Sequence, residues 1–418
     1  MSLDLTNWAG NIQFRARAVL TPPTVDELRR VVASERSIRV IGSRHSFTDI
    51  ADTDGVLISL EALTRADDIV VAPDRATVRV PAGIRYGDLV PTLEREGLAL
   101  HNLASLPHIS VAGAVQTGTH GSGDRAGSLA TQVAALELVT ASGDLVTITR
   151  GDEDFAGYVV GLGALGVVTH VHLDVEPAYD VAQTVYEGVT WDAALADFDA
   201  LTSAGDSVSL FTRWADADHI DQVWVKARVG HAGGDLGRFG GTPADGPRHP
   251  LPGIDPTPCT AQGGEPGRWF DRLPHFRLAF MPSSGEELQS EYLVPRRDAH
   301  AAITALRSLA EPISALLLVC EVRTIAADDL WLSGASGTET VGLHFTWRPD
   351  ELGVRAFLPT LEHALPRNAR PHWGKVFTMP GDEVARRYPE WERFATLRRT
   401  LDPTGRFTNA YLDRVGLG

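Results

Sequence analysis

The sequence predicts an α+β protein of two modules, one of short alternating strands and helices and one of longer antiparallel strands. Three observations carry this expectation. A chain of 418 residues exceeds what one compact core comfortably holds. Up to about residue 175, short β-branched runs alternate with amphipathic helical ones. From about Val181 to Arg370 the runs lengthen and only two helical stretches interrupt them.

In the first module, Thr24-Val25-Asp26-Glu27 reads as a capping box. It opens a helix through Ser34 with Leu28, Val31 and Val32 on the inner face. Ile38-Arg39-Val40-Ile41 is a short buried strand, followed by strands over residues 56–60, 69–72 and 77–80. A helix covers 86–96 and ends at Gly97. Residues 134–140 and 145–149 form a hairpin turned by Ala141-Ser142-Gly143-Asp144. In the second module, strands are expected over 207–213, 222–227, 289–294, 316–324 and 341–347, and helices over 298–310 and 352–364. Residues 230–267 are rich in Gly and Pro without periodicity, which implies a surface loop or a lid.

A net charge of −16 argues against nucleic acid and against an anionic membrane surface. No apolar run approaches membrane-spanning length, and the start of the chain is short, mixed and acidic rather than signal-like. A cytoplasmic protein is the expectation. Cys259 and Cys320 have no C-x-x-C spacing, so neither a disulfide framework nor a thiolate metal site is indicated. His170-Val171-His172 lies in a strand-like run without paired carboxylates at ligand spacing, so no metal is expected.

Two segments resist a bland reading. In Ile41-Gly42-Ser43-Arg44-His45-Ser46-Phe47, Gly42 is expected to turn the backbone after the strand. The N–H groups of Ser43 to Ser46 can then cradle a pyrophosphate, with His45 placed as a covalent anchor. Residues 102–123 carry Gly113, Gly118, Gly121 and Gly123 at irregular intervals among apolar residues. Neither helix nor strand periodicity fits that run, yet it is too apolar for a flexible linker. Buried irregular backbone needs partners, and a flat polar ligand would supply them. Gly161-Leu162-Gly163-Ala164-Leu165-Gly166 matches the dinucleotide fingerprint, but a β-branched alternating strand follows it instead of a helix. A nicotinamide site there is rejected.

Two strands of the second module carry polar faces. Glu321 and Arg323 share one side, with Cys320 and Val322 on the other; His344 and Thr346 oppose Leu343, Phe345 and Trp347. Pattern alone leaves two readings open, a solvated face or a grip on hydroxyl groups.

The His45 loop, the 105–123 segment, Gly163-Ala164-Leu165-Gly166-Val167-Val168, His372-Trp373-Gly374-Lys375 and the run from Leu401 to Tyr411 follow one another in a characteristic order. Together, beginning at Asn7-Trp8-Ala9-Gly10-Asn11, they resemble the vanillyl-alcohol oxidase flavoprotein family with its PCMH-type FAD-binding domain. Within it the chain is most similar to the aldonolactone oxidoreductase branch and, more narrowly, to bacterial alditol oxidases. The resemblance implies a two-part FAD-binding domain over residues 1–178. It further implies a substrate-binding cap of antiparallel sheet with flanking helices over 179–369, and a C-terminal segment, 370–418, that returns to the FAD domain.

It also implies FAD, bonded covalently from His45 to the flavin 8α-methyl group. The cofactor would be held by Ile41, Gly42, Ser43, Arg44, His45, Ser46, Phe47, Ser105, Ser110, Gly113, Thr117, Gly118, Thr119, His120, Val167, Thr346 and His372. Arg44 departs from the glycine usual at its position. Ser105, Glu321, Arg323, His344, Thr346 and Lys375 would bind substrate, with His344, Lys375 and Arg323 catalytic, while Asn102 and His108 brace the loop. The implied reaction takes hydride from the terminal CH–OH of a sugar alcohol such as xylitol, sorbitol or glycerol and passes electrons to O2, giving H2O2. An aldonolactone oxidase or dehydrogenase, with the acceptor bearing on Ala104, and a flavin-binding protein without turnover are the alternatives. The polyol and O2 are the expected partners, and the expected state is a monomer.

Overall fold

The computed structural model describes residues 4–231, 233–280 and 287–418. A small parallel sheet joins β1 (Ala18–Leu20), β2 (Ile38–Ile41) and β3 (Val56–Ser59) in the order β1-β3-β2. Helix α1 (Val25–Ser34) starts where Thr24 Oγ1 accepts the Glu27 N–H, and it buries Leu28 and Val32. An antiparallel sheet follows, built from β4 (Val70–Val71), β5 (Thr77–Pro81), β6 (Val133–Val139), β7 (Leu145–Thr149) and β8 (Val167–Asp174) in the order β4-β5-β8-β6-β7. The run after Gly166 is thus a strand, as its alternation requires.

The cap sheet contains β9 (Asp180–Glu187), β10 (Ser207–Thr212), β11 (Gln222–Arg228), β12 (Leu288–Pro295), β13 (Leu317–Ile325) and β14 (Thr340–Trp347). Its order is β9-β11-β10-β13-β14-β12, with two-residue pieces on its edges, among them Arg370–Pro371 beside β12. Its side chains bury Trp214, Trp224, Phe345 and Trp347, all at most 1% exposed.

Four sequence expectations need correction. The 102–123 segment contains a helix, α2 (Val111–Gln116), too short and too rich in small residues to show a period. The single helix expected over 298–310 is two, Ala299–Ser308 and Ala310–Leu316. The break falls at Leu309 (φ −103°, ψ 11°), and Pro312, which lacks an N–H and crowds the Ser308 carbonyl, favours it. Strand β9 was not expected at all. The 230–267 excursion is mostly irregular, but His249, Pro250 and Leu251 reach inward to the central cavity, so it acts as a wall rather than a surface loop.

The C-terminal run locks onto the first sheet. Ile38 N–H donates to Arg406 O at 2.9 Å. The buried Arg39 guanidinium donates to the carbonyls of Phe407, Ile50, Leu162 and Gly163 at 2.5–3.0 Å. Asn409 Nδ2 donates to Asp52 O at 2.8 Å. Among the described residues no helix is long and apolar enough to cross a membrane, and no group of His, Cys, Asp and Glu could hold a metal ion.

Candidate active site

A cavity of about 1050 Å³ runs between the first module and the cap sheet. Residues 41–47 form one wall. Gly42 does not have a left-handed backbone; the left-handed residue is Arg44, at φ 63°. Gly42 is required for a different reason: a Cβ there would lie 2.6 Å from Ser110 Oγ on the facing wall. The Arg44 conformation costs about 1–2 kcal/mol. It is offset by Arg44 Nη1 donating to Thr6 O at 3.0 Å and by Trp8 N–H donating to Arg44 O at 2.9 Å.

The rest of the loop is braced from both ends of the chain. Asn7 Nδ2 donates to Ser46 O, Asn11 Nδ2 to Phe47 O, and Phe47 N–H to Gly374 O. Among the described residues, the backbone N–H groups of Ser43 to Ser46 donate to no acceptor in the chain. The His45 ring stacks on Trp8 at 5.2 Å between centroids. Burial pushes its pKa down to about 4, so the imidazole is neutral near pH 7. His45 Nδ1 is buried without a hydrogen-bond partner. A buried polar atom with no partner is expensive unless a ligand supplies one. Unpaired N–H groups and an orphaned imidazole nitrogen along one wall fit a bound dinucleotide.

The facing wall comes from residues 104–120. Ser110 N–H donates to Ser43 Oγ at 3.1 Å and so ties the two walls together. Gly113 repeats the Gly42 constraint, since its Cβ would meet Ser110 Oγ at 2.7 Å. Thr117 and Thr119 hydroxyls lie 3.1 Å apart, and the His120 ring is buried with Nδ1 beside Gly121 O at 2.9 Å.

The cap sheet supplies the charges. In register, His344 on β14 lies opposite Glu291 on β12 and opposite Glu321 on β13. Directly opposed residues share a face, so three strands present Glu291, His344 and Glu321 in one row toward the cavity. Lys375 Nζ donates to Glu291 Oε2 at 2.8 Å and lies 2.6 Å from His344 Nδ1. Arg323 Nη2 donates to Glu291 Oε1 at 3.1 Å and Nη1 to Ser105 Oγ at 3.2 Å, while Nη1 stands 3.5 Å from Glu321 Oε2. His120 Nε2 lies 3.2 Å from Glu291 Oε1, and His344 Nε2 lies 3.2 Å from Thr346 Oγ1. Gly342 leaves room for this packing, as a Cβ would meet Glu291 Oε1 at 3.2 Å.

Two carboxylates therefore face the Arg323 guanidinium and the Lys375 amine in a buried site. Burial alone would raise Glu291, but Lys375, His120 and Arg323 hold it well below the usual carboxylate range. Glu321 behaves the same way under Arg323 and His275. Burial lowers Lys375, with Glu291 opposing the shift. Burial, reinforced by the Lys375 charge, brings His344 down to about 4. Burial also drives His372 well below its ordinary value; its Nδ1 accepts from Gly374 N–H.

Of the residues expected to hold cofactor or substrate, all line the cavity except two; Asn102, expected to brace the loop, also stays off it. Gly118 ends α2 with φ 63° and stays off the wall. Val167 is buried against Val139 on β6, while its neighbours Gly166 and Val168 face the space. Sequence reading missed Glu291 and His275. Glu291 had a signal, since Gln289 and Glu291 alternate on a strand as Glu321 and Arg323 do. His275 sits in irregular chain and had none.

Known proteins match this architecture. A family model described as an FAD binding domain matches residues 16–149, and one described as D-arabinono-1,4-lactone oxidase matches residues 281–415. A crystal structure of cholesterol oxidase from Brevibacterium sterolicum superposes with a TM-score of 0.77 over 98% of this chain and 96% of that one; at 17% identity it shows the fold alone. Fold and site define an FAD-dependent flavoprotein oxidoreductase. L-gulono-1,4-lactone dehydrogenase of Mycobacterium tuberculosis is 30% identical over 99% of each chain. Alditol oxidase of a Streptomyces species is 47% identical, again over 99% of each. The chain belongs to the alditol oxidase family.

Proposed function

We propose that this protein oxidises the terminal CH–OH of sugar alcohols, xylitol, sorbitol and glycerol among them, to the aldehyde or aldose, with O2 taken to H2O2. The observation that carries the reading is the convergence of Glu291, Glu321, Arg323, His344 and Lys375 on one wall of the cavity that the His45 loop also lines. Carboxylates accept from hydroxyl groups and the guanidinium donates to them, so neighbouring hydroxyls of a polyol are gripped in pairs. The 47% identity to Streptomyces alditol oxidase supports the same substrate class.

A bound FAD supplies the two-electron acceptor for the hydride. Loop 41–47 and the wall from Ser105 to His120 would hold it, and His45 is the covalent anchor. A neutral imidazole with an unpartnered nitrogen is the nucleophilic form such a bond needs. Proton transfer belongs to His344 and Lys375. With Lys375 unprotonated, its lone pair accepts His344 Nδ1–H, and His344 Nε2 is bare to take the alcohol proton. Its Nδ1 proton then passes to Lys375 Nζ, where Glu291 stabilises the charge formed. Arg323 and Ser105 orient the substrate oxygen, and Ala104 on the same wall bears on access of oxygen. A monomer is the proposed state and the cytoplasm the proposed location.

Peroxide release with xylitol, sorbitol or glycerol and none with an aldonolactone tests the substrate. Acid precipitation tests the anchor: yellow colour stays with the wild-type pellet and leaves it in His45→Ala. Met replacements at His344 and Lys375, followed by flavin reduction across pH, test the base; an unchanged rate without His344 removes it. The lactone oxidase match over residues 281–415 favours one second reading, an aldonolactone oxidase or dehydrogenase. Turnover of L-gulono-1,4-lactone without turnover of xylitol would establish that reading instead.

A further inference from the structure

Glu321 has a second line of contacts that the proton path leaves unused, and it runs through His275 at the cavity wall back into the sheet. His275 Nε2 lies 2.9 Å from Glu321 Oε1, and His275 Nδ1 lies 3.1 Å from Lys226 Nζ. Lys226, on β11, is 1% exposed and does not line the cavity. Its ammonium also donates to Leu273 O at 2.5 Å and Pro274 O at 3.2 Å, so all three protons are placed. An ammonium only donates. His275 Nδ1 must therefore accept, and the imidazole carries its single proton on Nε2, aimed at Glu321. Phe211 and Trp224 meet the His275 ring edge-on, each at 5.3 Å, and hold its plane. Glu321 Oε1 is thus filled from behind, and Oε2, with Arg323 Nη1 at 3.5 Å, remains for a hydroxyl group.

We infer that Lys226 and His275 are positioning residues: the buried ammonium fixes the His275 tautomer, His275 fixes Glu321 as a hydroxyl acceptor, and polyol affinity follows the proton on Lys226. This rests on the substrate class proposed above. When Lys226 is neutral, its lone pair can accept Nδ1–H and the tautomer inverts. A bare Nε2 would then face the Glu321 carboxylate, two acceptors at contact distance, and Oε1 must turn away.

Charges around Lys226 make the switch reachable. Burial pushes it down to about 7, against Glu321 and the Cys259 thiol and with the help of Arg323. His275 from the 273–276 loop also faces it, itself held to about 4 by burial and so neutral. Gln183 and Ser207, opposite it on β9 and β10, carry no charge. The affinity contribution is present below that value and is lost as pH rises through it.

The test measures KM for xylitol and the flavin-reduction rate at saturating xylitol, on holoenzyme, between pH 5.5 and 9. Wild-type KM should rise about tenfold across this range, the low end for one hydrogen bond to a charged group. Lys226→Met removes the titrating group, so its KM should not vary with pH, with the saturating reduction rate within about twofold of wild type. His275→Gln keeps an N–H for Glu321 but has no second tautomer, and its KM should not vary with pH. A wild-type KM profile in either variant overturns the inference, as does equal loss of rate and affinity in Lys226→Met. Should Lys226→Met fail to fold, His275→Gln decides alone. Nitrogen-15 spectra of labelled histidine give an arm independent of substrate: the His275 Nδ1 signal, assigned by its loss in His275→Gln, should change from unprotonated to protonated between pH 6 and 9. A fixed signal refutes the switch. Failure of the wild type to oxidise xylitol refutes the substrate reading and leaves this arm standing.

Discussion

Changing Glu291 to Gln keeps the shape of the side chain and removes one negative charge from the middle of the cluster. The carboxylate is 1% exposed and accepts from Lys375 at 2.8 Å and Arg323 at 3.1 Å, with the His120 ring nitrogen at 3.2 Å. The amide offers one acceptor oxygen and turns an NH2 group toward a donor. Two buried cations then share one remaining carboxylate, Glu321. Breaking a buried ion pair from one side costs about 3–5 kcal/mol. For 418 residues, an unfolding entropy of about 2.1 cal/mol/K per residue converts that cost to a Tm loss of roughly 3–6 °C. Thermal unfolding of the holoenzyme measures it. The same variant has a kinetic signature. Glu291 holds the pKa values of Lys375 and His344 upward against burial, so its loss moves both titrations, and the pH profile of flavin reduction, toward acid. A Tm within about 1 °C of wild type together with an unmoved pH profile would refute Glu291 as the counter-ion.

Gly42→Ala should lower FAD content in purified protein, because its methyl group meets Ser110 Oγ at 2.6 Å; adding Ser110→Ala should restore much of it, and a single variant with full FAD refutes the contact. Arg44→Gly relieves a left-handed backbone but gives up the bond to Thr6 and adds unfolded-chain entropy, so chemical denaturation should show stability within about 1 kcal/mol of wild type; a larger loss would show that the arginine contacts dominate. His275 and His344 are each held near pH 4 by burial, below the ordinary 6.5. The unfolded chain binds more protons in that window, so stability should fall as pH drops from 6.5 to 4, by up to about 3 kcal/mol per residue. A urea midpoint that stays level over the window would refute the burial of neutral imidazoles.

Much of this was legible because strands alternate. The pairs Glu321 with Arg323 and His344 with Thr346 announce a polar face, and the structure turns that face inward. Lys226 shows where the signal fails. In Gln-Val-Trp-Val-Lys-Ala-Arg it reads as an ordinary solvated lysine, yet it is buried because the 273–276 segment folds over it. His275 is equally silent, since its neighbours are set by tertiary packing and no local period marks it. Gly42 was flagged for the right position and the wrong cause: its need is set by Ser110, far along the chain, and only coordinates reveal that approach. The missed β9 pairs with β11, itself expected, but its half-buried alternation competes with turn-forming residues before it.

The clamp of Arg39 on the Phe407 carbonyl, with Ile38 bonded to Arg406, has a bearing on how the enzyme matures. The strand that leads into the His45 loop is fully braced only when residues 406 to 409 dock on it. FAD uptake should therefore depend on those last residues, and a chain truncated before Arg406 should purify colourless.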